Sequence, residues 1–184
     1  MVKKRKKIIL GVTGSIAAYK SAELIRRLQD HAFDVSVIMT KEAENFISAL
    51  TLSTLSGKAV YRDMFAEEQS AWQMNHIQLA KDADAFLIAP ATANIISKLA
   101  CGLADDLLTC TALTIKAPIL IVPAMNNEMY ANKIVQSNCK KLKEFGFHFV
   151  EPIKGNLACG VYADGHLADV ENIVETVKKI TRSH

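Results

Sequence analysis

At 184 residues, half of them hydrophobic and 22% charged, the chain is long enough for one domain with a real core and too apolar to be disordered. No apolar run approaches the roughly 20 residues of a membrane-spanning helix. The formal charge of +3 comes from Lys3, Lys4, Arg5, Lys6 and Lys7: removing those five leaves 3 − 5 = −2 for the rest, so no basic face for nucleic acid is expected.

The basic start followed by Ile8-Ile9-Leu10 resembles a signal-peptide head, but the apolar stretch breaks at Gly11 and Gly14 and no cleavage-like site follows. A cytoplasmic location is expected. Lys6 to Val12 reads as the first strand, ending in the turn Thr13-Gly14-Ser15, and a helix follows to about Asp30. Phe33 to Met39 is strand two, and Lys41 to Leu55 is mostly helical. Gly57 to Asn75 is irregular. Strand three, Ala85 to Ala89, ends at Pro90; helices cover about Ala93–Ala100 and Asp106–Leu113. Ile119 to Val122 is strand four, Asn127 to Phe145 helical and Phe147 to Val150 strand five. Gly155 to Leu167 reads as loop or hairpin. A last helix follows Asp169, with Val170, Ile173, Val174, Val177 and Ile180 on one face. Strands alternating with helices predict a parallel, doubly wound sheet in a single domain.

In such a sheet, ligands lie outside the carboxyl ends of the strands. The first turn, Gly11-Val12-Thr13-Gly14-Ser15-Ile16, lacks the third glycine of a dinucleotide fingerprint. Strand two ends in Met39-Thr40 rather than in an acidic residue, and no Gly-Lys-Ser/Thr follows the turn. A single phosphate at a helix N-terminus, as in FMN, suits Ser15 better than a pyrophosphate; a tight turn capped by Ser15 explains the segment equally well. Pro90-Ala91-Thr92-Ala93-Asn94 offers small residues for close approach of a flat ring, with Thr92 also a candidate helix cap. Asn126 in Pro123-Ala124-Met125-Asn126-Asn127-Glu128-Met129 presents an uncharged amide, again with a cap as the alternative. Cys101, Cys110, Cys139 and Cys159 form no C-x-x-C and have no histidine at ligand spacing, so no metal is expected. Three of them read as buried apolar groups; Cys159, between Ala158 and Gly160 in a loop-like stretch, does not.

Taken together, six strings resemble the homo-oligomeric flavin-containing cysteine decarboxylases. They are Gly14-Ser15-Ile16-Ala17-Ala18-Tyr19-Lys20, His76-Ile77-Gln78-Leu79-Ala80 with Ala83-Asp84, Ala89-Pro90-Ala91-Thr92-Ala93-Asn94, Gly102-Leu103-Ala104-Asp105-Asp106-Leu107-Leu108, the Pro123–Met129 string and Leu157-Ala158-Cys159-Gly160. The resemblance runs from about residue 8 to 180. Pro-Ala-Met-Asn-x-x-Met and Ala-Cys-Gly are its specific parts, and the glycine turn is generic. It implies a Rossmann-like three-layer α/β/α sheet, bound FMN, and a homotrimer or an assembly of trimers with sites between subunits. The implied reaction belongs to coenzyme A biosynthesis and is redox-neutral. FMN takes a hydride from the carbon bearing sulfur in 4′-phosphopantothenoylcysteine, CO2 leaves the thioaldehyde, and the hydride returns to give 4′-phosphopantetheine. A synthetase in another protein would supply the substrate. The alternatives are a peptidyl-cysteine decarboxylase of lantibiotic maturation and a flavin-binding regulatory subunit.

By the same resemblance His76 serves proton transfer or anion pairing, Asn126 holds the substrate carboxylate and Cys159 donates the proton. An aspartate at 126 would repel that carboxylate. Gly14, Ser15 and Ile16 hold the FMN phosphate, while Thr40, Thr92, Ala93 and Asn94 contact the rest of the cofactor. Met129, Asn156, Leu157 and Ala158 contact substrate. Where many bacterial members carry Gly-Arg after the cysteine, this chain has Asp164-Gly165-His166-Leu167, leaving His166 or Lys154 to replace the arginine. Asp105-Asp106 reads either as an acid pair or as a helix N-terminus.

Overall fold

A computed structural model describes residues 5–64, 75–156, 160 and 162–182. Five short, apolar runs form one parallel sheet: β1 (Lys7–Val12), β2 (Asp34–Met39), β3 (Ala85–Ala91), β4 (Ile119–Pro123) and β5 (His148–Phe149). Their order is β2-β1-β3-β4-β5, and each neighbouring pair is parallel. An antiparallel hairpin of β6 (Ile153–Asn156) and β7 (Tyr162–His166) lies outside this sheet.

The helices are α1 (Ser21–Asp30), α2 (Ala49–Ser56), α3 (Asn75–Asp82), α4 (Ala93–Cys101), α5 (Leu107–Thr114), α6 (Asn127–Ala131), α7 (Lys133–Glu144) and α8 (Val170–Arg182). Side chains of successive strand residues point to opposite faces, and both faces are covered. Ile8, Leu10 and Val12 pack with α1, α2 and α8 on one side. Ile9, Phe86, Ile88 and Ile121 pack with α4, α5 and α7 on the other. This is the three-layer arrangement expected. On α8 the predicted face holds: Ile173, Val174 and Val177 are fully buried, each contributing roughly 1.5–3 kcal/mol of apolar burial.

Five local expectations change. Strand three runs on through Pro90 to Ala91, its Ala89–Pro90 peptide cis. The ladder to β4 shifts register between Ile88 and Ala91, which removes the need for a donor at the proline. The long helix after Asn126 is two, because Asn132 takes extended backbone and caps α7, its Oδ1 accepting from the Ile134 N–H at 2.9 Å. The helix after the first strand begins as a 3-10 turn, Ile16–Lys20, and the segment after the second is divided into a 3-10 turn, Lys41–Asn45, and α2, separately capped by Ser48. Within the irregular stretch, Tyr61 forms a parallel bridge with Ile38 at the edge of β2, and its last residue, Asn75, already begins α3. Of the three cysteines read as buried, only Cys139 is; Cys110 is half-exposed and Cys101 exposed, all of them free thiols.

The connections leave β1 in opposite directions, to β2 on one side and eventually to β3 on the other. The crevice between the β1 and β3 carboxyl ends is therefore the topological switch point, where an open sheet binds its ligand.

Candidate active site

Along this carboxyl edge the strand ends are tied to one another in sheet order. The Thr40 N–H donates to the Val12 carbonyl at 3.0 Å. The Thr13 hydroxyl donates to the Pro90 carbonyl at 2.7 Å and accepts from the Thr92 N–H at 3.2 Å. The Ala124 N–H donates to the Ala91 carbonyl at 3.1 Å. These bonds make a continuous floor under a cavity of about 660 Å³. Every residue that sequence assigned to the cofactor lines it: Gly14, Ser15 and Ile16 at the first turn, Thr40 after β2, and Thr92, Ala93 and Asn94 after β3. Asn126 and Met129 line the β4 side, with His166 from the hairpin.

Ligand contact and helix capping are not alternatives here. Ser15 Oγ accepts from the Ala17 N–H at 3.3 Å and donates to the Ala124 carbonyl at 3.2 Å. Thr92 Oγ1 accepts from the Ile95 N–H at 3.3 Å. Asn126 Oδ1 accepts from the N–H groups of Glu128 at 2.9 Å and Met129 at 3.4 Å. Capping fixes the polarity of the amide: its oxygen is held by the helix N-terminus, so what Asn126 can offer a ligand is an N–H. A donor is what a carboxylate requires.

Several features fit a flavin. Thr40 Oγ1 is buried and, among the described residues, has no hydrogen-bond partner, a costly arrangement unless a bound group supplies one. At Gly14 an added Cβ would stand 2.5 Å from Glu42 Cβ, so glycine lets the first turn close against the 3-10 turn that follows β2. Apolar side chains cluster at the rim, with Ile16 58% and Tyr19 57% exposed and Phe46 beside them. Phe46 and Glu42 were not singled out by sequence. Their helical-looking segment hid them, although its position directly after strand two was a usable signal.

The hairpin is pinned to the β4 loop through glycine. The Met125 N–H donates to the Gly165 carbonyl at 3.1 Å, Gly165 has φ +130°, and an added Cβ would stand 2.3 Å from the Met125 carbonyl oxygen. The His166 ring lies over Gly155, and its Nδ1 is 3.0 Å from the Leu167 carbonyl, so Nδ1 carries the proton. Lys154 is exposed and absent from the described cavity lining.

Asp106 is the N-cap of α5 in a reciprocal capping box with Thr109. Lys98 bridges Asp105 at 2.9 Å and Asp106 at 3.0 Å. Burial alone would raise the Asp106 carboxyl, but the Thr109 N–H and Lys98 outweigh it and hold the group below its ordinary value. The helix-terminus reading of this pair is the one the geometry supports. Asp106 also reaches the cavity wall.

Three expected site residues, Leu157, Ala158 and Cys159, lie outside the described residues. His76 is in the first turn of α3 and Asn156 ends β6, with their side chains likewise outside the described set. No group of three His, Cys, Asp or Glu side chains among the described residues is arranged to hold a metal. None of the helices described is long and apolar enough to cross a membrane.

The model of the family called Flavoprotein matches residues 1–182. The chain belongs to this family. This flavoprotein is 45% identical over 176 residues to a Streptococcus mutans protein named "Probable phosphopantothenoylcysteine decarboxylase", covering 95% of this chain and 98% of the relative. It is also 45% identical over 172 residues to the Bacillus subtilis "Coenzyme A biosynthesis bifunctional protein CoaBC", covering 94% of this chain but 42% of that longer protein. Among solved structures, a cysteine-to-serine variant of PPC decarboxylase complexed with pantothenoylaminoethenethiol superposes with a TM-score of 0.89. It is 30% identical and covers 97% of this flavoprotein and 100% of that chain. The FMN binding protein AtHal3 superposes with a TM-score of 0.85 at 31% identity, covering 98% and 99%.

Proposed function

We propose that this flavoprotein binds FMN and decarboxylates 4′-phosphopantothenoylcysteine to 4′-phosphopantetheine in the cytoplasmic synthesis of coenzyme A. The observation that carries the reading is Asn126. It is a helix-capping amide in the cavity lining whose oxygen is held by the N–H groups of Glu128 and Met129, in a chain 45% identical along nearly its whole length to a relative named for this reaction.

Bound FMN would supply a reversible acceptor for the hydride on the carbon bearing sulfur, the electron sink that loss of CO2 from a cysteine carboxylate needs. The protein's part is positioning and proton handling. Gly14, Ser15 and Ile16 would take the phosphate end of the cofactor, and Thr92, Ala93 and Asn94 its ring and ribityl chain, with Thr40 Oγ1 finding its partner there. Asn126 would hold the carboxylate without the repulsion an aspartate would impose, beside Met129. Asn156, Leu157 and Ala158 would contact the rest of the substrate. His76 would pair with an anionic group or move a proton, and Cys159 would protonate the product carbon.

Ile16, Tyr19 and Met129 are large apolar side chains left about half-exposed at the cavity rim. Their exposure supports a homotrimer, or an assembly of trimers, in which a neighbouring subunit closes the site. The substrate would come from a synthetase of the kind to which the decarboxylase is joined in bifunctional relatives.

The purified protein should be yellow and should release CO2 from 4′-phosphopantothenoylcysteine. A colourless protein would overturn the cofactor assignment. Faster turnover of a peptide ending in cysteine would move the substrate to the lantibiotic type.

A further inference from the structure

Asn126 and Met129 reach the cavity from α6, a helix of five residues that fully buries none of its side chains. Such a helix has too little apolar contact to hold itself in place. Its outward side carries Tyr130, half-buried, whose hydroxyl donates to Glu151 Oε2. The other oxygen of the same carboxylate accepts from Lys143 Nζ on α7. Lys143 in turn lies over the Phe149 ring, 5.0 Å from its centroid, on the edge strand β5. Gln136 Nε2 of α7 donates to the Tyr130 carbonyl. Glu151 sits two residues before β6, the first strand of the hairpin whose Gly165 bonds to Met125. One carboxylate thus joins α6, α7 and the base of the hairpin.

We infer that Tyr130 and Glu151 are positioning residues for the substrate-carboxylate contact: their hydrogen bond ties α6 to the sheet edge and so holds Asn126 at its place in the cavity. Neither residue lines the cavity among the described residues, so neither is placed against substrate. The tie is neutral-to-charged and half-exposed, strong enough to orient a short helix but not to decide whether the domain folds.

The inference rests on the carboxylate role proposed for Asn126, and two readouts separate the failure of one from that of the other. The first is independent of activity: hydrogen exchange at the α6 amides of Glu128, Met129 and Tyr130 in the flavin-loaded protein. Tyr130→Phe and Glu151→Ala should each speed that exchange several-fold, and Glu151→Gln, which still accepts from the phenol, should leave it close to the parent rate. The second is turnover of 4′-phosphopantothenoylcysteine. Tyr130→Phe and Glu151→Ala should lower kcat/KM about three- to tenfold with flavin content and melting temperature unchanged, the double variant should lose no more than either single one, and Glu151→Gln should restore most of the loss. Unchanged exchange in Tyr130→Phe overturns the tie itself, whether or not the protein turns over this substrate. Faster exchange with parental kcat/KM overturns the positioning role. Losses that multiply in the double variant overturn the coupling.

Discussion

The two halves of the cavity are built differently. On the β1–β3 side the strand ends are buried, bonded to one another through main chain and Thr13, and followed by helical turns that anchor Ala17, Ala18 and Ile95 in the core. On the β4 side the chain leaves the sheet into the five-residue α6 and a two-stranded hairpin, held by a cap, a glycine contact and surface hydrogen bonds. A rigid floor suits a cofactor that stays. A lightly tethered wall suits a substrate that must enter and leave, since segments that move are drawn from the less stable parts of a structure.

The sharpest way to break this comparison is to change chemistry on the β4 side while leaving its structure alone. Asn126→Asp keeps an excellent N-cap, so α6 should hold and the flavin should stay bound. What changes is the group shown to substrate, from an N–H donor to a second carboxylate. CO2 release should fall by roughly 10²–10³-fold, the scale for losing one aimed donor. Flavin absorbance and single-turnover CO2 measurements would check it; near-normal turnover would end the carboxylate role.

Next in size is Gly165→Ala. Its φ of +130° strains any other residue, and the added carbon would sit on the Met125 carbonyl oxygen, which is backbone and cannot rotate away. The hairpin should lift from the β4 loop at a cost of about 2–4 kcal/mol, the sum of strain and overpacking. Because the β1–β3 floor is not involved, the flavin-loaded protein should lose substrate turnover before it loses colour. Thermal unfolding monitored by flavin fluorescence and by activity together would show whether the halves separate in that order.

These differences also set what was legible beforehand. The β1–β3 half was: Ile8-Ile9-Leu10 and Ala85-Phe86-Leu87-Ile88 read as buried strands, the position rule for open sheets then put Ser15 and Thr92 at ligand-type loops, and the family resemblance added Gly14 and Thr40. The same logic predicted the face of α8. Less visible was whatever depends on geometry finer than periodicity. Pro90 marked a strand end by its missing donor, yet a register shift lets β3 continue. Asn132 looked like a residue within one helix and instead divides two. Glu42 and Phe46 line the cavity from the 3-10 turn Lys41–Asn45 and from the residue that ends it, where a mostly helical segment was expected. The Tyr130–Glu151 bond joins residues 21 apart across two elements, and no local pattern announces it.

A smaller effect tests the cofactor half. Thr40→Val deletes the one buried polar side-chain atom left without a partner among the described residues while keeping nearly the same shape. The apoprotein should be no less stable, because an unsatisfied hydroxyl is removed. Flavin affinity should fall about tenfold, the loss of one net hydrogen bond of about 1–1.5 kcal/mol. Equilibrium binding to the stripped protein would measure it. Unchanged affinity together with lower apoprotein stability would mean that Thr40 serves packing alone.

The smallest effect lies at the back of the cavity, where Lys98 is held between Asp105 and Asp106. Burial works against both charged forms. For Lys98 the hydrogen bonds and charges of the two carboxylates outweigh it and raise the ammonium above its ordinary 10.5. For Asp106 the Thr109 N–H and Lys98 lower the carboxyl below its ordinary 3.8. A carboxyl lowered on folding adds stability that is present above its unfolded value and lost as pH falls through the folded one; an ammonium raised on folding adds stability present below 10.5 and lost at more alkaline pH. Asp106→Asn keeps the cap and leaves Asp105 for Lys98, so at neutral pH it should cost no more than about 1 kcal/mol although the lost pair is part-buried. That deficit should shrink steadily below pH 4 and vanish once the native carboxyl is protonated. Denaturant unfolding of both proteins across the acid range would reveal it, and a deficit independent of pH would overturn the contribution of the Asp106 charge to stability.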